Sequence, residues 1–379
     1  MFYKIKPLDT IFFRDGRPFS MGYDTWANLI FPPYPSTIYG SIRSWLIFER
    51  GSLIDFENNK FENELGTPNK KGSLKINGIF IEYNDTLLFP IPRDLLILEE
   101  TKDLHKCDEN KNLDKYRKNK KTLISLSLTK KPEVFISDYE LDYILVNKSN
   151  EKLDEAEGFL DINSLLKYLT CNDNSYHPID RKDIFEIEYK IGIKRNRKTL
   201  SSEEGYLYRI PMIRLKKDVN FFIQIEGLNH YPERGIIQLG GEGRIAEIKK
   251  YDNDLLKDLR DINFEFKNNI FKLYLATPAI FNNGWLPVWI DKSNYEGKYN
   301  GIRLKLIGCI IGKYNLIGGW NLANQKPKPM FKAVSSGSIY YFKILNDTPP
   351  EKVKETFHLK NISDVNSEEG YGLSLIGGV

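Results

Sequence analysis

Two glycine-rich loops, each running into a strand, divide the chain into halves built on one plan, and this repetition constrains the fold more than any other feature. In the first half Phe2 to Leu8 alternates as a strand does. The stretch FPPYP at 31–35 cannot be helical, after which Ser36 reads as the N-cap of a helix over 37–48 with Ile38, Ile42, Trp45 and Leu46 on one face. Ile79 to Tyr83 and Thr86 to Pro90 read as a hairpin around Asn84-Asp85. Leu207 to Leu215 and Val219 to Glu226 read as a strand pair around 216–218, Leu228 to Arg234 as a short helical turn, and LGGEGR at 239–244 as the loop into a strand over 245–249. The grammar returns with FKLYLATPAIF at 271–281, strands over 304–311 and 338–345, a helix over 349–357 opened by Asp347 and Thr348, and EEGYG turning into the last strand.

Each half therefore fits β-α-β-β-α-β, the split arrangement of a ferredoxin-like unit, so the expected class is α+β with two tandem ferredoxin-like domains. The expected division is 1–260 and 261–379, with a polar insertion at about 99–180 in the first domain. A chain of 379 residues is long enough for two cores. No helical period appears between Pro278 and Gly301, which leaves the first helix of the second half open to replacement by an irregular loop. From Glu99 to Lys121 a string of Lys, Asp, Glu and Asn with few apolar residues predicts a solvated excursion, followed by an amphipathic helix over 161–169.

Composition narrows the function. With 41% hydrophobic and 28% charged residues the chain is globular in type, and MFYKIKPLDTIFF breaks its apolar run with Lys4, Lys6 and Asp9, so neither a signal peptide nor a membrane span is expected and the reading is cytoplasmic. Cys107, Cys171 and Cys309 are far apart, which predicts neither disulfides nor a zinc site, and no metal or cofactor is expected. A net charge of +4 permits a nucleic-acid partner without requiring one.

The local motifs favour RNA, each against a plainer structural role. Arg14 and Arg17 flank a tight turn from which guanidinium forks can clamp phosphates, or can pair with Asp15 or Asp24 to fix the loop. Ser36 and Thr37 open a helix whose free N–H groups attract an anion, though Ser36 can simply cap its own helix; Arg43 is placed on the same surface. Lys194, Arg195, Arg197 and Lys198 form the densest basic cluster. Gly240, Gly241 and Gly243 let backbone approach a ligand beside Arg244, or only turn the chain. Weaker candidates are Asn282, Asn283 and Trp285, where an indole can stack on a splayed base or be buried, and Gly370 and Gly372 by analogy with the first loop. Trp320 carries a positive rim from Lys326 and Lys328. Residue spacing alone yields a two-domain RNA-binding scaffold.

These segments together, PLDTIFFRDGRPF, PPYPSTIYGSIRSWL, IGIKRNRKTL with EGYLY, LGGEGR, ATPAIFNNGWLP, KPMFKAVSSGSIYYF and GYGLSLIGG, resemble the RAMP superfamily of CRISPR proteins, and most closely the family of third subunits of the Cmr-type (type III-B) effector complex. The resemblance spans nearly the whole chain and implies two ferredoxin-like domains and a non-catalytic role holding the 5′ tag of the guide RNA. It implies docking onto the large polymerase-like subunit and beside backbone-forming RAMP subunits. The first domain is expected to carry the RNA surface and the second mainly to dock protein. Nothing is carried onto 99–157, which does not fit the family pattern.

Three alternatives stand beside this reading. A guide-precursor ribonuclease needs a histidine base, but His105, His177, His230 and His358 all lie outside the first helix. A cyclase-like palm needs paired carboxylates, and the turn at 216–218 supplies Lys216, Lys217 and only Asp218. A purely structural adaptor would turn the basic residues to solvent or to an acidic partner.

Overall fold

The computed structural model describes residues 1–17, 28–98, 121–134, 137–148, 150–171, 176–321 and 326–379. Asp24, His105, Cys107 and nearly all of the 99–121 excursion lie outside them.

Mixed α/β structure, mostly strands with few helices, is arranged around two antiparallel sheets. The first has seven strands in the order Arg234–Gln238, Ile245–Tyr251, Phe2–Pro7, Val219–Glu226, Lys75–Tyr83, Thr86–Pro90, Phe159–Asp161. The second has six, in the order Glu296–Tyr299, Ile302–Ile310, Ile339–Ile344, Ile270–Leu275, Leu373–Gly377, Lys360–Asn361. Ranked by chain position, the four central strands of each sheet run fourth, first, third, second or the reverse.

Strand alternation builds two layers of core from one sheet. Successive residues point to opposite faces, so Phe221 and Ile223 pack with Ile38, Ile42, Trp45 and Leu46 of helix Pro35–Arg50, while Phe222 and Phe80 join the core that also holds Tyr274 of the second sheet, whose hydroxyl donates to the Pro90 carbonyl at 2.6 Å; Phe271, on the opposite face of that strand from Tyr274, packs against Phe357. Each such side chain withdrawn from water stabilises the fold by about 1.5–3 kcal/mol, so the two sheets share one core. The Asn84-Asp85 turn has both residues in the left-handed region, at φ 52° and 57°, as the twist of a two-residue hairpin loop requires.

Several expectations need correction. Leu207–Leu215 does not pair with Val219–Glu226: Ser202–Leu215 pairs with Phe185–Arg195 in a separate two-stranded ribbon, and the chain turns at Lys216–Asp218, with Asp218 at φ 63°, to enter the sheet. Leu228–Arg234 is not helical, because Pro232 lacks an N–H and Arg234–Gln238 is drawn into the sheet against Ile245–Tyr251. Ser36 is not an N-cap; the helix begins at Pro35, behind Tyr34, with no side-chain cap. Between Pro278 and Gly301 there is no helix, as the missing period allowed. The only helix of eight or more residues among the described part of the second half is Pro350–Phe357.

The described part of the 99–180 insertion is folded. Its Leu123, Leu141 and Tyr176 are buried in the core shared with the second sheet, together with Leu95 and Ile97 just ahead of it, and Lys305 pairs with Asp142 at 2.7 Å. Asp94 lies at the centre of this junction, 1% exposed, accepting hydrogen bonds from Tyr168 at 2.7 and 2.8 Å and from Tyr341 at 2.7 Å.

Candidate nucleic-acid interface

The ribbon sets the basic run apart from the body. Its strand Phe185–Arg195 has 11 residues, and at about 3.4 Å each it is roughly 35 Å long. Its tip carries the cluster: Asn196 accepts from the backbone N–H groups of Lys198 and Thr199 through its side chain, which closes the turn and leaves Arg195, Arg197 and Lys198 exposed. Lys194 is different, held by Glu203 at 2.6 Å. On one face of the ribbon Ile187, Tyr189, Ile191, Ile193 and Leu207 are all about half exposed, an apolar stripe outside the core.

At the ribbon's base the glycine loop is the tip of the Arg234–Gln238/Ile245–Tyr251 hairpin. Gly240, at φ +78°, and Gly241 press against Phe12, to whose carbonyl Gly241 donates at 2.9 Å, so these two positions serve close packing. Gly243, at φ +64°, faces open space. Arg244 donates to Asp9 at 2.8 Å, and Lys190 reaches across to Glu242 at 2.8 Å. Asp9 is held below the usual carboxylate range by the backbone N–H of Thr10 and by Arg214 and Arg244.

The arginine turn follows Phe12 and Phe13 in the chain. Arg14 is exposed, and Arg17 pairs with Asp15 at 3.2 Å. Gly16 touches the second half directly: a Cβ there would sit 2.7 Å from the backbone nitrogen of Gly318. Nearby, the helix start meets the terminal glycine turn. Ser36 Oγ is 2.9 Å from the hydroxyl of buried Tyr371, and the Thr37 N–H donates to the Tyr34 carbonyl at 2.9 Å. Gly370 accepts from Thr277 through its carbonyl at 2.7 Å, and Gly372, at φ +73°, is packed against Ser363. Burial raises the pKa of the Tyr34 hydroxyl to about 12. Arg43 is turned inward, donating to the carbonyls of Leu65 at 2.7 Å and Thr67 at 2.6 Å.

The structure thus brings the ribbon, the glycine hairpin, the arginine turn and the helix start into one sequence of contacts, with the Gly370–Gly372 turn behind it. Asn282, Asn283 and Trp285 stand elsewhere. The Asn282 N–H donates to Asp364 at 2.9 Å, and Trp285 stacks on Tyr295 with centroids 6.4 Å apart. Trp285 and Tyr295 line a cavity of about 390 Å³ with Asp138, Tyr139, Glu140, Leu141, Cys309 and Ile311. Two carboxylates and no cation among these residues make it a poor seat for a polyanion.

His177 and His230 are exposed, on no shared cluster, and His358 is buried. Among the described residues no three His, Cys, Asp or Glu side chains converge. No described helix is long and apolar enough to cross a membrane. Sequence reasoning missed the ribbon itself, although FEIEYKIGIKR alternates with period two; it also missed Lys190, Lys313 and Lys332.

A family model described as CRISPR-associated protein (Cas_Cmr3) matches residues 3–379. The chain is 25% identical over 344 residues, covering 88% of this chain and 84% of the other, to the CRISPR system CMR subunit Cmr3 of Saccharolobus solfataricus (strain ATCC 35092 / DSM 1617 / JCM 11322 / P2). In fold it is similar to a chain of a cryo-EM structure of the Type III-B Cmr-beta bound to cognate target RNA and AMPPnP, with a TM-score of 0.50, 20% identity and coverage of 90% of this chain and 86% of that one. A match over almost the full length, extending well beyond the glycine and arginine motifs, shows that the chain belongs to the Cas_Cmr3 family, the third subunits of Cmr-type (type III-B) CRISPR complexes.

Proposed function

We propose that this subunit binds RNA within its CRISPR complex, holding the 5′ tag of the guide, and performs no cleavage. The supporting observation is the ribbon, which carries Arg195, Arg197 and Lys198 exposed at its tip, while Glu242 pairs with Lys190, and Asp9 and Glu188 pair with Arg214, lower down. Cations held out on a stiff two-stranded support lose little entropy on meeting phosphate, and each contact releases counterions. The same reading takes the two sheets of matching central strand order as tandem ferredoxin-like units, each keeping one of its two helices, with the division near residue 260. The large polymerase-like subunit and backbone RAMP subunits are the protein partners in this reading, and the cytoplasm its compartment.

Removing both tip arginines, Arg195→Ala with Arg197→Ala, is expected to weaken binding of a guide-tag RNA. It should also reduce the slope of log affinity against log salt by about 1.4, at roughly 0.7 per phosphate contact on a single strand. Fluorescence anisotropy over a salt series measures both. Unchanged affinity and slope would count against the tip as the RNA contact.

One observation favours an adaptor as the second reading: the apolar stripe of Ile187, Tyr189, Ile191, Ile193 and Leu207, which is the kind of surface a neighbouring protein covers. Crosslinking in the assembled complex separates the two, since an adaptor would place protein and no guide nucleotide on the ribbon tip.

A further inference from the structure

The second half contains two exposed tryptophans in opposite electrostatic settings. Trp285 sits beside Asp138 and Glu140, as described above. Trp320 sits on an excursion, residues 312–333, that contains four lysines and no aspartate or glutamate. Two small antiparallel pairs build it: Asn315–Ile317 with Phe331–Ala333, and Trp320-Asn321 with Lys326-Pro327. Trp320 is 52% exposed and Tyr314 52% exposed. Lys328 is anchored by its backbone N–H to the Gly319 carbonyl at 2.9 Å, and its stem runs over Gly319. The Lys332 ammonium lies 5.2 Å from the centroid of the Tyr314 ring. Lys313, Lys326, Lys328 and Lys332 are all exposed, and no ion pair among the described residues engages them.

Its position is as informative as its composition. The Gly16–Gly318 backbone contact sets the excursion against the arginine turn, and Ile317 and Ala333 pack with Tyr371 and Tyr34 in a satellite core beside the helix start. Exposed π faces set in a field of unneutralised ammonium groups match a single-stranded polyanion with unstacked bases, in which aromatic rings take bases and lysines take phosphates.

We infer that the described part of this excursion, residues 312–321 and 326–333, is a second single-stranded RNA contact, with Trp320 stacking on a base and Lys328 and Lys332 on the adjacent backbone, so that the RNA path crosses from the ribbon over the arginine turn onto the second half. This rests on the RNA-binding reading above. It departs from the expectation that the second half mainly docks protein.

The test uses the full chain and a fluorescein-labelled mixed-sequence RNA of about 15 nucleotides, within the span such surfaces occupy. Trp320→Ala is expected to weaken binding about tenfold, within the range of one lost base stack, and Trp320→Phe to recover most of the loss. Lys328→Ala with Lys332→Ala is expected to lower the salt slope by about 1.4. If the wild-type chain binds and the Arg195/Arg197 variant is weakened, while Trp320→Ala and the lysine pair match wild type, the inference is overturned and the RNA-binding function stands. It is overturned equally if binding of an acidic protein partner, but not of RNA, responds to these changes. A wild-type chain that binds no RNA overturns both.

Discussion

Asp94→Ala is expected to destabilise the chain by about 3–5 kcal/mol, the largest effect of any single substitution proposed for this protein. The carboxyl is 1% exposed and takes hydroxyl hydrogen bonds from Tyr168 on the helix Ile162–Thr170 and from Tyr341 in the second sheet. Beside it Lys272 is buried, its ammonium 3.5 Å from the centroid of the Tyr168 ring. Burial lowers the Lys272 pKa and the nearby Asp94 partly offsets this. Alanine would leave two buried hydroxyls without acceptors and remove the one carboxyl that favours the ammonium. Each orphaned polar group costs about 1–3 kcal/mol. Tyr341→Phe, which removes one donor and leaves the acceptor partly satisfied, should lose less than half as much. Urea denaturation of the three proteins measures the series. Equal stability of wild type and Asp94→Ala would show that the junction between the halves is held by the apolar core alone.

That junction also explains what was legible in the sequence and what was not. Helix 35–50 was legible because Ile38, Ile42, Trp45 and Leu46 repeat at helical spacing and all face one sheet. The central strands were legible because their alternation ends in burial. The ribbon was missed for the opposite reason: Ile187, Tyr189, Ile191 and Ile193 alternate just as regularly but face outward, so nothing nearby in sequence says where they belong. Its partner strand was assigned to the wrong neighbour, since the short connection at 216–218 looks like a hairpin until Asp218 turns the chain away. The glycine hairpin was placed correctly before a strand, but the element ahead of it was read as helical where pairing with Ile245–Tyr251 prevails.

Among the site residues, local chemistry could not reveal partners hundreds of positions away. Ser36 has the composition of a cap, yet its hydroxyl meets Tyr371, 335 residues on. Arg43 has the charge for phosphate but donates to two backbone carbonyls, those of Leu65 and Thr67. Arg14, Arg195 and Arg197 point to solvent. The sequence contains every lysine of the 312–333 excursion, but only the Gly16–Gly318 contact shows that they adjoin the arginine turn.

Acidification should cost this fold about 3 kcal/mol through one buried histidine. His358 accepts from the Ile376 N–H through Nδ1 at 3.2 Å and donates through Nε2 to the Leu259 carbonyl at 2.8 Å, an arrangement that requires the neutral ring. Burial pushes its pKa down from 6.5 to about 4, with Lys354 adding to the effect and the Leu259 carbonyl opposing it. Between those two values the unfolded chain binds a proton that the folded chain refuses, so stability rises with pH there. The stabilisation is complete above about 6.5 and is lost as pH falls toward 4, at about 1.4 kcal/mol per unit. Other carboxylates and histidines titrate in the same range, so the informative quantity is the difference between wild type and His358→Gln. Glutamine retains an amide donor and acceptor without a titrating group, and the variant should be less stable at pH 7.5 but approach wild type as pH falls to about 4.5. A wild-type advantage that stays constant from pH 7.5 to 4.5 would mean that His358 does not carry the acid sensitivity. The same enclosure removes the ring from solvent, so His358 is a structural link between the last strand and Leu259 rather than a base available to RNA.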